Sequence, residues 1–333
     1  MSTLTSTGNT PAATSTDTRR GLRLRGTTWV VWRQHRATHW TLLAAAAVCA
    51  AFCFYQRQEA ITYLEGYGYP HLKDGWADGF PRALLDQTRS LLGLLPIVIG
   101  VFVGAPLLAG DLESGAAKLV STQSISRVRW LTTKLVVTAL VVVASTTVLS
   151  VAFTWWWSPV KSSNIIAPWY DSSTFDNTGP VPVALTLLTV FAGVAIGMLL
   201  RRTLLSMVVT LGFAVVVQVM WSKVRTSLGN VVTVTTHNGV GDGAWPRLPE
   251  NANVLDQSYL TAPGDLIGWG TCASDTEKAT EACLAKHQVV GWSIDYLPIS
   301  QMSSMQWLGA SVLLALTAGI TAFIVLWGRK RLV

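Results

Sequence analysis

Two carboxylates, Asp111 and Glu113, close a long apolar stretch, and Lys118, Arg127, Arg129 and Lys134 follow before the next stretch begins. Acids and bases mixed within so short a segment suit ionic contact with another protein. A solvated loop carrying only orientation-setting cations would explain the four bases but gives no reason for the two acids. Reaction chemistry is missing by comparison. The sequence holds no G-x-x-x-x-G-K-[ST] phosphate loop, no H-E-x-x-H, no G-x-S-x-G and no Cys-x-x-Cys. His35, His39, His71, His237 and His287 are scattered and read as solvated or interfacial. The chain is expected to be neither an ATPase nor a metalloenzyme, with no catalytic residue of its own.

The elements that must position the charged segment are membrane helices. Of 333 residues 50% are hydrophobic and 13% charged, against about 25% charged in a soluble domain. The fifteen Trp residues suit surfaces that meet both lipid and water. A bilayer core needs about 20 mostly apolar residues per helix. Six segments approach or meet that length: about Trp40 to Tyr55, Leu91 to Gly110, Leu135 to Trp157, Val181 to Leu200, Leu204 to Trp221 and Met305 to Trp327. Their interiors contain no Asp, Glu, Lys, Arg or His, whereas ion-coupled transporters place such groups at membrane depth. Gln218 and several Ser and Thr residues remain, and these read as helix-packing groups. Uphill movement of a solute would therefore draw its energy from another chain.

Fifteen of the 25 Lys and Arg residues, with three of the 18 acids, fall on the side of the N-terminus. That side carries a net +12 and the other −5, so the overall +7 records membrane orientation and not a nucleic-acid surface. Both ends are expected in the cytoplasm. Residues 1–25 read as a disordered tail, with no cleavable signal peptide. Residues 26–38 read as an amphipathic interfacial helix, on which Trp29 and Trp32 share a face with Arg33 and Arg36 alongside to meet lipid phosphates. Residues 39–333 form the six-span domain.

Three segments remain outside, about 57–90, 158–180 and 222–304. The last is long enough for a small ectodomain, with a short strand expected at Val231 to Thr236. Ser274 and Glu277 read as a capping box for a helix from about Asp275 to Gln288. Cys272 and Cys283 would staple the start of that helix if the preceding chain folds back; two free thiols are the alternative. Cys49 and Cys53 read as small packing residues. Gly100 with Gly104, and Gly193 with Gly197, form faces that let helices approach closely, either within the chain or at a dimer seam.

The charged segment carries a resemblance. Asp111, Glu113, Gly115, Thr122, Gln123, Ser126, Arg127, Arg129, Trp130 and Lys134, after a proline-containing second span, resemble the type-2 class of ABC transporter permeases, in particular those of actinobacterial kind. Asp111 stands where Glu is usual, and Ala116 where Thr is usual. Trp29 to Arg36 resemble the amphipathic connecting helix of that class, and Tyr296, Pro298, Gln306 and Trp307 its entry into the last span. The resemblance implies an all-α polytopic fold of six transmembrane helices with a long extracellular loop between helices 5 and 6. It also implies a second permease copy or paralogue as a dimer, a separate ABC ATPase subunit carrying ATP and Mg, and an exporter in the bacterial plasma membrane. The segment from Asp111 to Arg129 would be the ATPase-coupling loop. The competing expectation is a membrane-anchored sensor or structural protein whose ectodomain binds a partner.

Overall fold

A backbone surrounded by lipid can bond only to itself, so long apolar runs become helices. In a computed structural model, which describes residues 27–73, 75–115, 126–163, 165–241 and 243–331, six helical spans are long and apolar enough to cross a membrane. A short helix, α1 (Thr27–Gln34), precedes the first span, α2 (Arg36–Gly66). The second span has three parts: α3 (Arg82–Ile99), one π-helical turn (Gly100–Gly104) and α4 (Ala105–Glu113). The third span is α5 (Arg127–Trp157). After a short helix, α6 (Ser172–Phe175), come α7 (Val181–Leu200) and α8 (Thr203–Val224). The last, α10 (Met302–Arg331), follows the segment between spans five and six. The chain is thus mostly helical, as expected.

The boundaries differ from the hydropathy reading at the first span. α2 is 31 residues long, about 46 Å at helical rise, so it outruns a bilayer core of about 30 Å. Its polar second half continues because it is packed. Gln56 is buried and accepts a hydrogen bond from Thr88 Oγ1 (2.9 Å), while Cys53, Ala60 and Leu64 enter the same core as Leu85 and Leu92 of α3.

The two glycine pairs meet each other. A Cβ on Gly104 would lie 2.5 Å from the Val190 carbonyl oxygen, and one on Gly193 would lie 2.8 Å from that of Gly100. Side chains are excluded on both surfaces, so the π-helical turn and α4 cross α7 at backbone contact. Gly197 completes the crossing against Ala105. This face is consumed within the chain, which rules out a dimer seam at these four glycines. Pro96 lies inside α3, and the Thr189 hydroxyl donates to its carbonyl (2.6 Å), so the break in this span is tied to α7 at both levels.

Residues 158–180, expected as an outside loop, fold back into the helices. Trp169 and Phe175 are buried, and α6 lies against α3. Gln306 Nε2 donates to the carbonyl of Phe175 (3.0 Å) and to Thr178 Oγ1 (2.8 Å). Asn177 Nδ2 donates to the Arg89 carbonyl (3.0 Å). Asp176 accepts from the Trp221 indole N–H (2.6 Å) and faces Arg225 at 3.8 Å. Trp130, Trp156, Trp157, Trp169 and Trp221 are all buried, so a third of the Trp residues build the core instead of a lipid interface.

The segment before α10 is a four-stranded antiparallel sheet in the order β1-β4-β2-β3, made of β1 (Val232–Thr235), β2 (Asn253–Thr261), β3 (Leu266–Gly268) and β4 (Val289–Leu297), with α9 (Glu277–Lys286) between β3 and β4. Only the first strand was expected. Cys272 and Cys283 are bonded, with their Cα atoms 5.5 Å apart. A 3-10 turn at Trp269–Cys272 brings the first cysteine back to α9. The capping box does not form: α9 begins at Glu277 after Thr276, with no side-chain cap. The sheet is joined to the spans through the Trp169 indole, which donates to the Asn251 carbonyl (2.7 Å), and through paired hydrogen bonds between Asn230 and Gln301 (2.7 and 2.8 Å).

Gly104→Val is expected to lower stability by about 2 kcal/mol or more through forced separation of α4 and α7. Gly110→Ala, with open space at its Cβ, should have no such effect; thermal unfolding of the full chain in detergent reads both. Burial pushes the Asp176 carboxyl up to about 6, against the opposing pull of Arg225 and the Trp221 N–H. Because the folded state holds this proton more tightly than the unfolded one, its contribution is largest below the ordinary value of 3.8 and falls as pH rises through about 6. The loss is on the order of 3 kcal/mol at most. Asp176→Asn should flatten the dependence of the unfolding midpoint over that window.

Candidate functional site

The last turn of α4 and the first turns of α5 lie at one end of the bundle, beside α1 and the final turns of α10. The apolar floor there is Leu107, Leu108, Trp130, Leu131, Val194 and Ile324, all buried in one cluster. Ser126 starts α5: its backbone is extended and its hydroxyl accepts from the Arg129 N–H (3.3 Å), satisfying one of the free donors of a helix start. The first turn after that cap presents Arg127 and Arg129 to the surface.

Lys134 does not stand with them. Its side chain is fully buried, and its ammonium group bonds to the Asp111 carboxylate and donates to the Leu107 carbonyl (2.8 Å). The Trp130 ring lies 5.0 Å from the same nitrogen. The other oxygen of Asp111 accepts from Gln34 Nε2 (2.8 Å). Three elements, α1, α4 and α5, thus converge on one buried carboxylate. Asp111 and Lys134 were expected on the surface as contacts for a partner; they are instead an internal tie. The reason is geometric, because both helices extend past the apolar segments and place these residues where they face each other. A buried charge is tolerable only when paired and hydrogen-bonded.

Glu113, two residues nearer the helix end, is exposed, and its Oε2 accepts from the Thr203 N–H (2.8 Å). It supplies from another span the acceptor that the start of α8 lacks locally, since Arg202 precedes that helix without a side-chain cap. α7 and α8 are separated only by Arg201 and Arg202, and Arg201 takes a left-handed conformation (φ 55°). Gly115 also has a positive φ, 74°, a backbone state that glycine reaches without strain. Thr122 and Gln123 lie outside the described residues.

The interfacial helix is shorter than expected. α1 ends at Gln34, and the chain bends at His35, so Arg36 belongs to α2. Trp29 is exposed, with the Arg33 guanidinium 5.1 Å over its ring. Trp32 is half-buried, its ring 5.0 Å from that of His39. The two Trp residues therefore do not share one lipid-facing surface, although Trp29, Arg33 and Arg36 remain exposed. Burial, and then the nearby Lys134 charge, push the His35 imidazole down to about 4, which leaves it neutral at ordinary pH. Gln34 was missed as a site residue. It stands within the quoted Trp29 to Arg36 stretch, but 77 residues separate it from Asp111, so no local spacing could reveal the bond.

Asp111→Ala is expected to cost about 3 to 5 kcal/mol by leaving Lys134 charged and buried. Asp111→Leu combined with Lys134→Met should recover most of that loss. Thermal unfolding in detergent measures both, and equal losses would show that the ion pair is not the tie.

The sequence pattern described as ABC-2 membrane transporter related matches residues 43–225. No curated protein and no solved structure matches the chain. The matched stretch spans α2 to α8 and includes the Asp111–Lys134 pair, the Glu113 contact and both glycine pairs. The chain belongs to the ABC-2 membrane transporter related family.

Proposed function

We propose that this permease is the membrane subunit of an ATP-driven exporter and is powered by a separate nucleotide-binding subunit that holds ATP and Mg. Its membrane is the plasma membrane of a bacterium, with the end bearing α1 and the last turns of α10 in the cytoplasm. A second permease, identical or paralogous, completes the substrate path.

The observation that carries this reading is the mounting of the surface charges. Arg127 and Arg129 sit exposed in the first turn of α5, and Lys134, two turns further on, is bonded to Asp111 at the end of the second span. A force applied by a soluble partner to that first turn is passed through a stiff helix to the buried pair. From there it reaches α4 directly and α1 through Gln34. Glu113 extends the same path to the start of α8. A partner that changes shape on binding and hydrolysing ATP could thus move four elements from one docking surface. The six hydropathy segments hold no Asp, Glu, Lys, Arg or His in their interiors, which favours such an outside motor over a driving ion.

A sensor with an autonomous ectodomain is less well supported, because the sheet is bonded into the spans through Asn251, Asn230 and Leu297.

Changing Arg127 and Arg129 together to Glu should lower the amount of ABC ATPase that co-purifies with the chain from its native membranes by about tenfold or more in mild detergent. Membrane insertion and the thermal midpoint should stay unchanged, since both side chains are exposed. Full recovery of the ATPase with the double variant would overturn the docking surface, and no recovery with the unaltered chain would overturn the partnership.

A further inference from the structure

On the ectodomain half of the bundle, a groove of about 990 Å³ opens between α5, α7 and α10. Val151, Ala184 and Leu314 belong to its apolar lining, and Lys161, Ser300 and Ser303 stand at its mouth, the end nearer the sheet. A second groove of about 710 Å³ continues along α5 as far as Val143 and shares Thr147, Val151 and Trp155 with the first. Together they form a largely apolar groove along the second half of α5, open to the side.

Lys161 stands at the mouth, a second cation lies behind the Trp155 wall, and neither has an anion among the described residues. Trp155 forms part of the wall, and on its ring lies the Arg57 guanidinium, 4.2 Å from the centroid. Phe54 stacks on the same indole at 5.6 Å. Arg57 Nε and Nη1 are buried and have no hydrogen-bond partner among the described residues. Glu59, the neighbouring carboxylate on α2, is engaged by the Tyr55 hydroxyl (2.6 Å). Lys161 is exposed and has no ion pair among the described residues. Two cations at one end of a membrane groove are costly without a counter-charge, and a phosphate, with several acceptor oxygens and a negative charge, supplies it.

We propose that this groove is a binding site for an anionic phospholipid. An acyl chain lies along Val151 and Val148, and the headgroup phosphate meets Lys161 at the mouth, with the Arg57 charge held behind the Trp155 ring. A second copy of the chain fits less well, because an apolar helix face would cover the groove but leave both cations unpaired. A zwitterionic lipid brings a cation of its own to the same place. The site needs no ATPase partner, so its test is independent of the transport reading.

The full-length protein, stripped of lipid in detergent, would be titrated with dioleoyl phosphatidylglycerol and, separately, dioleoyl phosphatidylcholine, with bound lipid counted by native mass spectrometry. The unaltered chain should hold phosphatidylglycerol about tenfold more tightly. Lys161→Gln and Arg57→Gln should each remove most of that preference while leaving phosphatidylcholine binding unchanged, and Val151→Trp should weaken both lipids by filling the groove. Lys161 is a surface residue, so its variant reads the charge effect even if Arg57→Gln fails to fold. Equal affinity for the two lipids in the unaltered chain would overturn the proposal. So would a preference that survives the Lys161 change, or a disulfide formed between two copies through Val151→Cys.

Discussion

A lysine ammonium fully removed from water has to be compensated where it lies, and in this protein the compensation comes from Asp111 on a different span. The pairing with Lys134 is what makes one end of the bundle a single piece. The ion pair holds α4 to α5, the Leu107 carbonyl adds a second bond to the same nitrogen, and Gln34 ties α1 to the remaining carboxylate oxygen. Everything proposed about coupling rests on this arrangement, since exposed charges transmit nothing unless the turn that bears them is fixed to what moves.

The middle of the bundle depends on the opposite device, the absence of side chains. Gly100, Gly104, Gly193 and Gly197 let the second and fourth spans meet backbone to backbone. The π-helical turn at that crossing, with Pro96 before it and Pro106 after it, interrupts the α-helical bonding of the second span, and Thr189 of the fourth span bonds to the Pro96 carbonyl there. At the far end, residues 158–180 act as an internal bracket. Asp176, Asn177 and Thr178 are buried and bonded to Trp221, the Arg89 carbonyl and Gln306, respectively. Polar satisfaction, close backbone contact and a polar bracket thus hold three successive levels of one helical bundle.

Much of this was readable from residue order and much was not, for identifiable reasons. Six spans follow from runs of apolar residues, and the Cys272–Cys283 bond was one of two states that the sequence left open. The sheet was hidden because alternation along β2 is interrupted twice, at Val254/Asp256 and at Leu260/Thr261, and each irregularity shifts the inward-facing parity of the strand. The bracket at 158–180 was hidden because its buried Trp169 has the same composition signature as an interfacial anchor. At the candidate site the residue types were legible and their partners were not. Asp111 and Lys134 were seen as charges flanking apolar runs, and only the helices that continue past those runs show that the charges face each other. The glycine pairs were visible as small surfaces, while their contact with one another is a property of the assembled bundle.

α8 stands apart from its neighbours in how it is held. Leu204, Val208, Val216 and Met220 are all more than half exposed, and only Ser206, Thr210, Ala214 and Trp221 are buried. One end is caught by Glu113 at Thr203, the other by Asp176 at Trp221. Between the tips, the buried stripe and the Gln218 bond to the Gly93 carbonyl (3.0 Å) keep α8 from rolling, so a displacement of either carboxylate is felt by the helix as one rigid rod.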